Sequence, residues 1–525
     1  MPRARHAGLG VSAPSHRTRN AALTSAFGYV QYALALTGGL VLFPIVVDRL
    51  GAYDNGLWLI TGELVGYILL GDLGVLSVLP WLVAAKSGEQ DRDAIAQYLA
   101  DGLAVGLVIG SAFVALALAI DRVDGETLGI APAAWRKVSL PLAIMLALTG
   151  LGLPLRVFTA VLTGLQDVSF LGATNLALAA LTVTFTATAV VSGHGMVGLA
   201  FATAVPPVLG GLAAAGRTIA TYPGATRRWY HPSARGCLGL LHQGFGGLLG
   251  ALGTRLLMAS SGLVFGALGR PDLATIYAAT SKVAQSGQPL CCILPDSALV
   301  GLSQIHGQGD PHKARQAVQC VALLYLCVPG VLAVALLAGN PWFVRAWLGA
   351  DYYASNYVNA LVALNLVAAI LAGGVFKVIG VVGHRIPVGL VACTGGLVMV
   401  GSGYVLGGHR EIAGVAEATL ATWLLIVLPF GLCLLRATYQ IPVRDFVRSS
   451  LLPWAVRSTP AFVLAGWLGG RLMTCRMEVV AASTIGLVLA HLATMRPVVD
   501  AAPWPLGVRS GLARFGLARS PRDSG

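Results

Sequence analysis

The chain has 525 residues, 56% of them hydrophobic and only 11% charged, with a mean hydropathy of +0.76. These values exclude the soluble globular and disordered classes, in which about a quarter of residues are charged, and describe an all-α polytopic membrane protein. The net charge of +13 does not imply nucleic acid, because the cations collect between apolar runs, where they suit anionic lipid headgroups.

Residues 1–20 are basic but lack the short apolar core and small-residue cleavage site of a signal peptide, and they read as a disordered cytoplasmic tail. A helix needs about 20 apolar residues to cross about 30 Å of hydrocarbon. Such runs are predicted at 22–47, 57–80, 98–120, 138–164, 169–192, 196–220, 238–266 and 272–302. They continue at 316–338, 357–382, 387–406, 411–435, 451–469 and 477–495. Residues 497–525 read as a second disordered tail.

Fourteen crossings place both termini on one side. The loops and tails of that side hold 21 Lys and Arg residues against 9 on the other, so the positive-inside bias puts both termini in the cytoplasm. Arg457, near a helix end, is expected to snorkel.

Four cations remain inside the crossings: Arg156, Arg255, Lys282 and Lys377. A cation in hydrocarbon costs about 3 kcal/mol even on a lenient scale, so these four are expected to line a hydrated cavity suited to an anion. The alternative is that each pairs with Glu63, Asp72, Asp296 or Glu417, or snorkels to a headgroup. Glu63, Asp72 and Asp296 are also candidates for coupling transport to a proton or sodium ion, since a carboxylate in a low-dielectric site binds a proton more readily.

Glycines in crossing 7, with Gly246-x-x-x-Gly250 and Gly262-x-x-x-Gly266, predict close helix packing. Pro44, Pro154, Pro206, Pro207 and Pro289 are candidate kinks. The eight cysteines show no zinc-ligand spacing, the histidines form no pair at ligand spacing, and no metal or cofactor is expected.

The chain repeats itself at an offset of about 218 residues. Arg49-Leu50-Gly51 is answered by Ala267-Leu268-Gly269, and Gly88-Glu89-Gln90-Asp91 by Gly307-Gln308-Gly309-Asp310. Six crossings separate the copies, so the repeat is parallel. It predicts two pseudo-symmetric six-helix lobes around a central cavity, 21–220 and 221–435, followed by crossings 13 and 14 over 436–496.

The stretch from Arg49 to Trp58, RLGAYDNGLW, followed by Gly71-Asp72-Leu73-Gly74, resembles the opening of Wzx-type polysaccharide flippases of the multidrug/oligosaccharidyl-lipid/polysaccharide (MOP) superfamily. Leu268-Gly269, Tyr277 to Lys282, Pro295 and Gly309-Asp310 are similar to the second-half pattern, although Asp296 stands where an apolar residue is usual. The resemblance covers about residues 20–440. It implies a transporter of the bacterial inner membrane that flips an undecaprenyl-pyrophosphate-linked oligosaccharide to the outer leaflet, alongside other membrane proteins of polysaccharide assembly. The cationic cavity would then hold the pyrophosphate, which guanidinium and ammonium groups bind well.

No phosphate-binding loop, H-E-x-x-H or G-x-S-x-G is present, so an enzyme is not expected. Asp91-Arg92-Asp93 has the D-x-D form of nucleotide-sugar enzymes but reads as an acidic turn. The competing functions are a cation-coupled multidrug or metabolite antiporter of the same superfamily, and a membrane glycan polymerase or ligase. The polymerase needs a large outer loop, and none of the outer connections reaches twenty residues.

Overall fold

The computed structural model describes residues 14–123, 125, 131–223, 231–308 and 310–502, and every regular element among them is helical. Helix α1 (Pro14–Ile68) carries two crossings merged across Gly51, whose φ of 79° and ψ of 166° are not helical. A short 3-10 turn, Leu69–Asp72, and α2 (Val75–Gly88) complete the second crossing. Then come α3 (Arg92–Ala119), α4 (Pro132–Gly164), α5 (Val168–Val191) and α6 (Gly195–Thr221).

The seventh crossing is a pair, α7 (Ala234–Met258) and α8 (Ser261–Ala267), bent by 63°. It is followed by α9 (Pro271–Gly307), α10 (Pro311–Leu348) and α11 (Asn356–Gly380). In α12 (Arg385–Thr422) two crossings again run together, here across Glu411, and the second continues through a π-helical turn into α13 (Leu428–Tyr439). The last two are α14 (Leu452–Leu472) and α15 (Met477–Ala501).

Divided at Gly51 and Glu411, these elements give fourteen helical segments in the expected order. Among the described residues nine helices are long and apolar enough to cross a membrane, or ten with the bent pair. Two of the nine, of 46 and 54 residues, extend about 70 and 80 Å, enough to cross twice. The 37-residue α9 and 21-residue α14 have the length, but carry Lys282, Asp296 and Arg457. All five candidate kink prolines lie inside helices that run on past them. The expected tails, 1–20 and 497–525, and the loop residues Arg227 and Arg228 fall largely outside the described residues.

Contacts divide the chain into two compact units, Met1–Ala251 and Leu252–Gly525, parted inside α7. The first is built around α4, which α3 crosses at backbone distance. A Cβ on Gly106 would lie 3.0 Å from Cα of Pro154, and one on Gly110 would strike the Gly150 carbonyl, so only small residues permit the crossing. Val157 and Val161 of α4 then enter a core with Leu79, Val83 and Leu99. Arg156, about 100° round the helix from Val157, leaves that core on another side.

In the second unit α10 is the central element, packed by α9, α11, α14 and α15. The most apolar windows of α10 and α11 are 72% and 78% buried, so any polar group on their inner faces needs a partner within the protein.

The repeated loops have one physical role. Asp91 accepts the Ala94 amide at 3.0 Å and starts α3. Asp310 accepts the His312 and Lys313 amides at 3.0 and 3.1 Å and starts α10. Both are helix N-caps, which commits Asp91 to capping rather than to a nucleotide-sugar metal; Gly309 of the second loop lies outside the described residues. Of the α7 glycines, those with close neighbours do not include the expected Gly250. Gly250 meets nothing, whereas Gly244 and Gly247 meet Gly74 and Ser77 in the first unit, and Gly253 meets Ala392 in the second.

Candidate functional site

Arg156 opens into a cavity of about 340 Å³ between α1, α4, α5 and α6, lined also by Gln31, Thr159, Thr174, Asn175 and Thr182. Its far wall is Pro206 and Pro207 with Gly210 and Gly211 of α6. Among the described residues the side chains of Arg156, Gln31, Thr174 and Asn175 make no hydrogen bond or ion pair. A guanidinium and two amides held open in a membrane-spanning bundle are groups that require a ligand or water. No carboxylate lines the cavity, so the charge it offers is positive.

Asp72, a coupling candidate, is engaged locally. The second crossing breaks at Leu73 and Gly74, both with positive φ (53° and 78°). The Asp72 carboxylate accepts the freed amides of Gly74 and Leu76 at 3.2 and 3.3 Å. Gly74 is required here twice over, by its left-handed backbone and because any Cβ would strike the Gly244 carbonyl. The motif Asp72-Leu73-Gly74 is therefore a capped helix break, and Arg156 adds an electrostatic attraction to the carboxylate. Glu63 lies half-buried on α1, two residues past Thr61, whose hydroxyl donates to the Leu57 carbonyl.

In the second unit Lys377 does not stand open like Arg156. Its ammonium donates to both oxygens of Asp296, at 2.8 and 2.7 Å, so the pairing alternative holds for this residue. The Tyr325 hydroxyl donates to the same carboxylate at 2.5 Å. Helices α9, α10 and α11 each contribute one member. Tyr325 is 1% exposed and reaches the site because Gly374 of α11 presents no Cβ to its ring. The Lys377 and Asp296 side chains remain 43% and 39% exposed.

Lys282 is half-buried on α9, next to the Gln285–Ser281 hydrogen bond. Arg255 occupies the last turn of α7, just before the 63° bend. Glu417 binds Arg410 at 2.7 Å and Tyr357 at 2.6 Å.

Asp101 was not among the expected site residues, although it is the one charged residue of the run 98–120. It is 1% exposed and accepts the Ser233 amide at 2.7 Å and Gln97 at 2.9 Å. Tyr325 and the polar stripe of α5, Thr174, Asn175 and Thr182, were likewise missed. The stripe was visible as hydroxyls and an amide at helical spacing in an otherwise apolar segment.

No protein-family model and no curated protein sequence matches the chain. Solved structures do. An inward-facing multidrug resistance MATE family transporter of the MOP superfamily aligns with a TM-score of 0.62 at 14% identity, over 78% of this chain and 98% of that one. The lipid II flippase MurJ in an inward closed conformation aligns with a TM-score of 0.63 at 12% identity, over 89% and 97%. The fold is that of the MOP superfamily transporters. A third such transporter, from Pyrococcus furiosus and described as having a binding pocket of reverse polarity that suggests a different function, aligns at 0.52 and 14% identity, over 78% and 96%. These neighbours are transporters and flippases of membranes, not enzymes.

Proposed function

We propose that this MOP-fold protein flips a polyprenyl-pyrophosphate-linked oligosaccharide from the cytoplasmic to the outer leaflet of a bacterial inner membrane, for surface polysaccharide assembly. The observation that carries the reading is the Arg156 cavity. It combines the Arg156 guanidinium with the Gln31 and Asn175 amides and the Thr174 hydroxyl, none of which makes a hydrogen bond or ion pair among the described residues, as an anionic, hydroxyl-rich headgroup requires. Sugar hydroxyls cannot enter hydrocarbon without new partners, and Gln31, Thr174 and Asn175 supply such partners. The lipid II flippase match also extends over more of this chain than the MATE match, 89% against 78%.

Movement follows an alternating-access cycle, with both termini in the cytoplasm and lipid tails kept in the bilayer. Direction comes from an ion gradient or from consumption of the product. The coupling candidates are Glu63, Asp72 and Asp296, of which Asp72 also caps a broken helix and Asp296 also pairs with Lys377. Arg255 and Lys282 complete the set of cations that accompany the substrate anion.

The multidrug antiporter reading draws on the MATE likeness. It conflicts with the cavity charge, since a cationic drug meets Arg156 without a carboxylate in the lining. The deciding experiment is Arg156→Ala in cells, with surface glycan and protein abundance measured together. Loss of glycan at normal abundance is expected, because a charge-assisted contact contributes about 1.5–3 kcal/mol, more than tenfold in binding. Normal glycan export overturns the assignment.

A further inference from the structure

We propose that Asp296 is a proton site that decides whether Lys377 is available to an anion, so that proton uptake and anion binding occur together. The proposal rests on the reading of this protein as a carrier of an anionic substrate.

In the structure Lys377 is engaged by Asp296: its ammonium donates to both carboxylate oxygens, at 2.8 and 2.7 Å. The pair is about four-tenths exposed. Charges exposed to that degree do not face hydrocarbon without a large cost, so this surface meets water or a charged ligand. An ion pair of this exposure contributes little to stability, and an incoming phosphate oxygen competes for the ammonium on nearly equal terms.

Asp296 does not follow Lys377 when the pair opens. Tyr325 donates to its Oδ1 from α10, and that ring is buried and held against Gly374. With an anion on Lys377, two negative groups would share one cation, and a like charge at such range disfavours the ionised form of a carboxylate. A proton taken from solvent onto the free Oδ2 restores the balance, with Oδ1 still accepting from Tyr325. Each event therefore favours the other by the same factor.

Among the described residues, three other side chains bear on the carboxylate. Helix α10 supplies Tyr325, α11 supplies Lys377, and α9 supplies Cys292, one turn from Asp296 and within electrostatic reach of both charges.

The test uses the purified full-length protein and geranylgeranyl pyrophosphate as the probe, with affinity measured at about pH 5.5 and about pH 8. Pyrophosphate changes its own charge over this range, so each wild-type ratio is read against Asp296→Asn. The wild type is expected to bind at least about fivefold tighter at the lower pH than Asp296→Asn's own ratio explains. Asp296→Asn should bind tightly at both values, and Lys377→Gln weakly at both. Equal pH ratios in wild type and Asp296→Asn, with binding lost in Lys377→Gln, overturn the proton role and leave the carrier reading standing. Unchanged binding in both Lys377→Gln and Arg156→Ala overturns the carrier reading itself.

Discussion

Asp101 of α3 accepts the backbone amide of Ser233 at 2.7 Å, across 132 residues of chain. Ser233 in turn accepts the Gly236 amide on its own Oγ at 2.9 Å. The two together form a capping box in which the carboxylate comes from another helix, and they fix where α7 begins. Asp101→Ala should lower stability by about 1.5–3 kcal/mol, the usual loss for a hydrogen bond to a charged group. Asp101→Asn, which keeps an acceptor, should recover part of it. Thermal unfolding of the detergent-solubilised protein measures both, and an unchanged midpoint in Asp101→Ala would show that Ser233 caps α7 alone.

The crossings were legible in the sequence because length and apolar periodicity are set by the bilayer, and the structure places a helix over each predicted run. The repeated Gly88–Asp91 and Gly307–Asp310 loops were legible as a repeat, and their cause is a shared N-cap. Pairing was legible as an alternative, but not which carboxylate meets which cation. Nothing in the spacing of Asp296, Tyr325 and Lys377 announces that three helices bring them together, since tertiary contacts carry no sequence period. The same holds for Asp72, whose motif was visible while its role as the cap of a broken helix needed the positive φ of Leu73 and Gly74. Asp101 was open to detection by the reasoning that found Glu63, as a lone carboxylate in an apolar run.

Asn175 lines the Arg156 cavity and makes no hydrogen bond among the described residues, so its amide is open to a ligand. Asn175→Leu should leave the unfolding midpoint within the usual scatter of exposed substitutions, about 0.5 kcal/mol. It should lower glycan export, because a hydroxyl that loses its partner costs about 1–3 kcal/mol. Export at the wild-type rate would remove Asn175 from the headgroup site. A fallen midpoint would show that it supports the fold.

Asp310, in the turn before α10, is held below the ordinary carboxylate range, chiefly by the Lys313 backbone amide and then by the Lys313 ammonium. A depressed value means that its contribution is fully present above the ordinary carboxylate value of about 4 and is lost as pH falls through the lower folded value. Between pH 5 and pH 8 the cap should therefore be insensitive to pH. Asp310→Asn should match the wild type in helical content at acid pH and fall below it near neutrality, as read by circular dichroism. For its counterpart Asp91, replacement by Ala should cost about 1 kcal/mol, the typical loss of an N-cap.

Gly374 lets the Tyr325 ring lie against α11, where an added Cβ would come within 2.5 Å of Cγ and 2.7 Å of Cε2. Real Cβ atoms do not approach so closely, and Tyr325 is too enclosed to swing aside without disturbing its neighbours. Gly374→Ala should therefore destabilise the second unit by about 1–3 kcal/mol, the range for overpacked cores. The displaced hydroxyl should also release Asp296, so the variant should lose pH-linked anion binding beyond its loss of stability. Tyr325→Leu removes the clash along with the hydroxyl. In the double variant Gly374→Ala with Tyr325→Leu, stability should return towards that of Tyr325→Leu alone, while the pH linkage stays absent. If the two losses simply add, the residues are not in contact in the folded protein; if the linkage returns with stability, Tyr325 does not anchor the carboxylate.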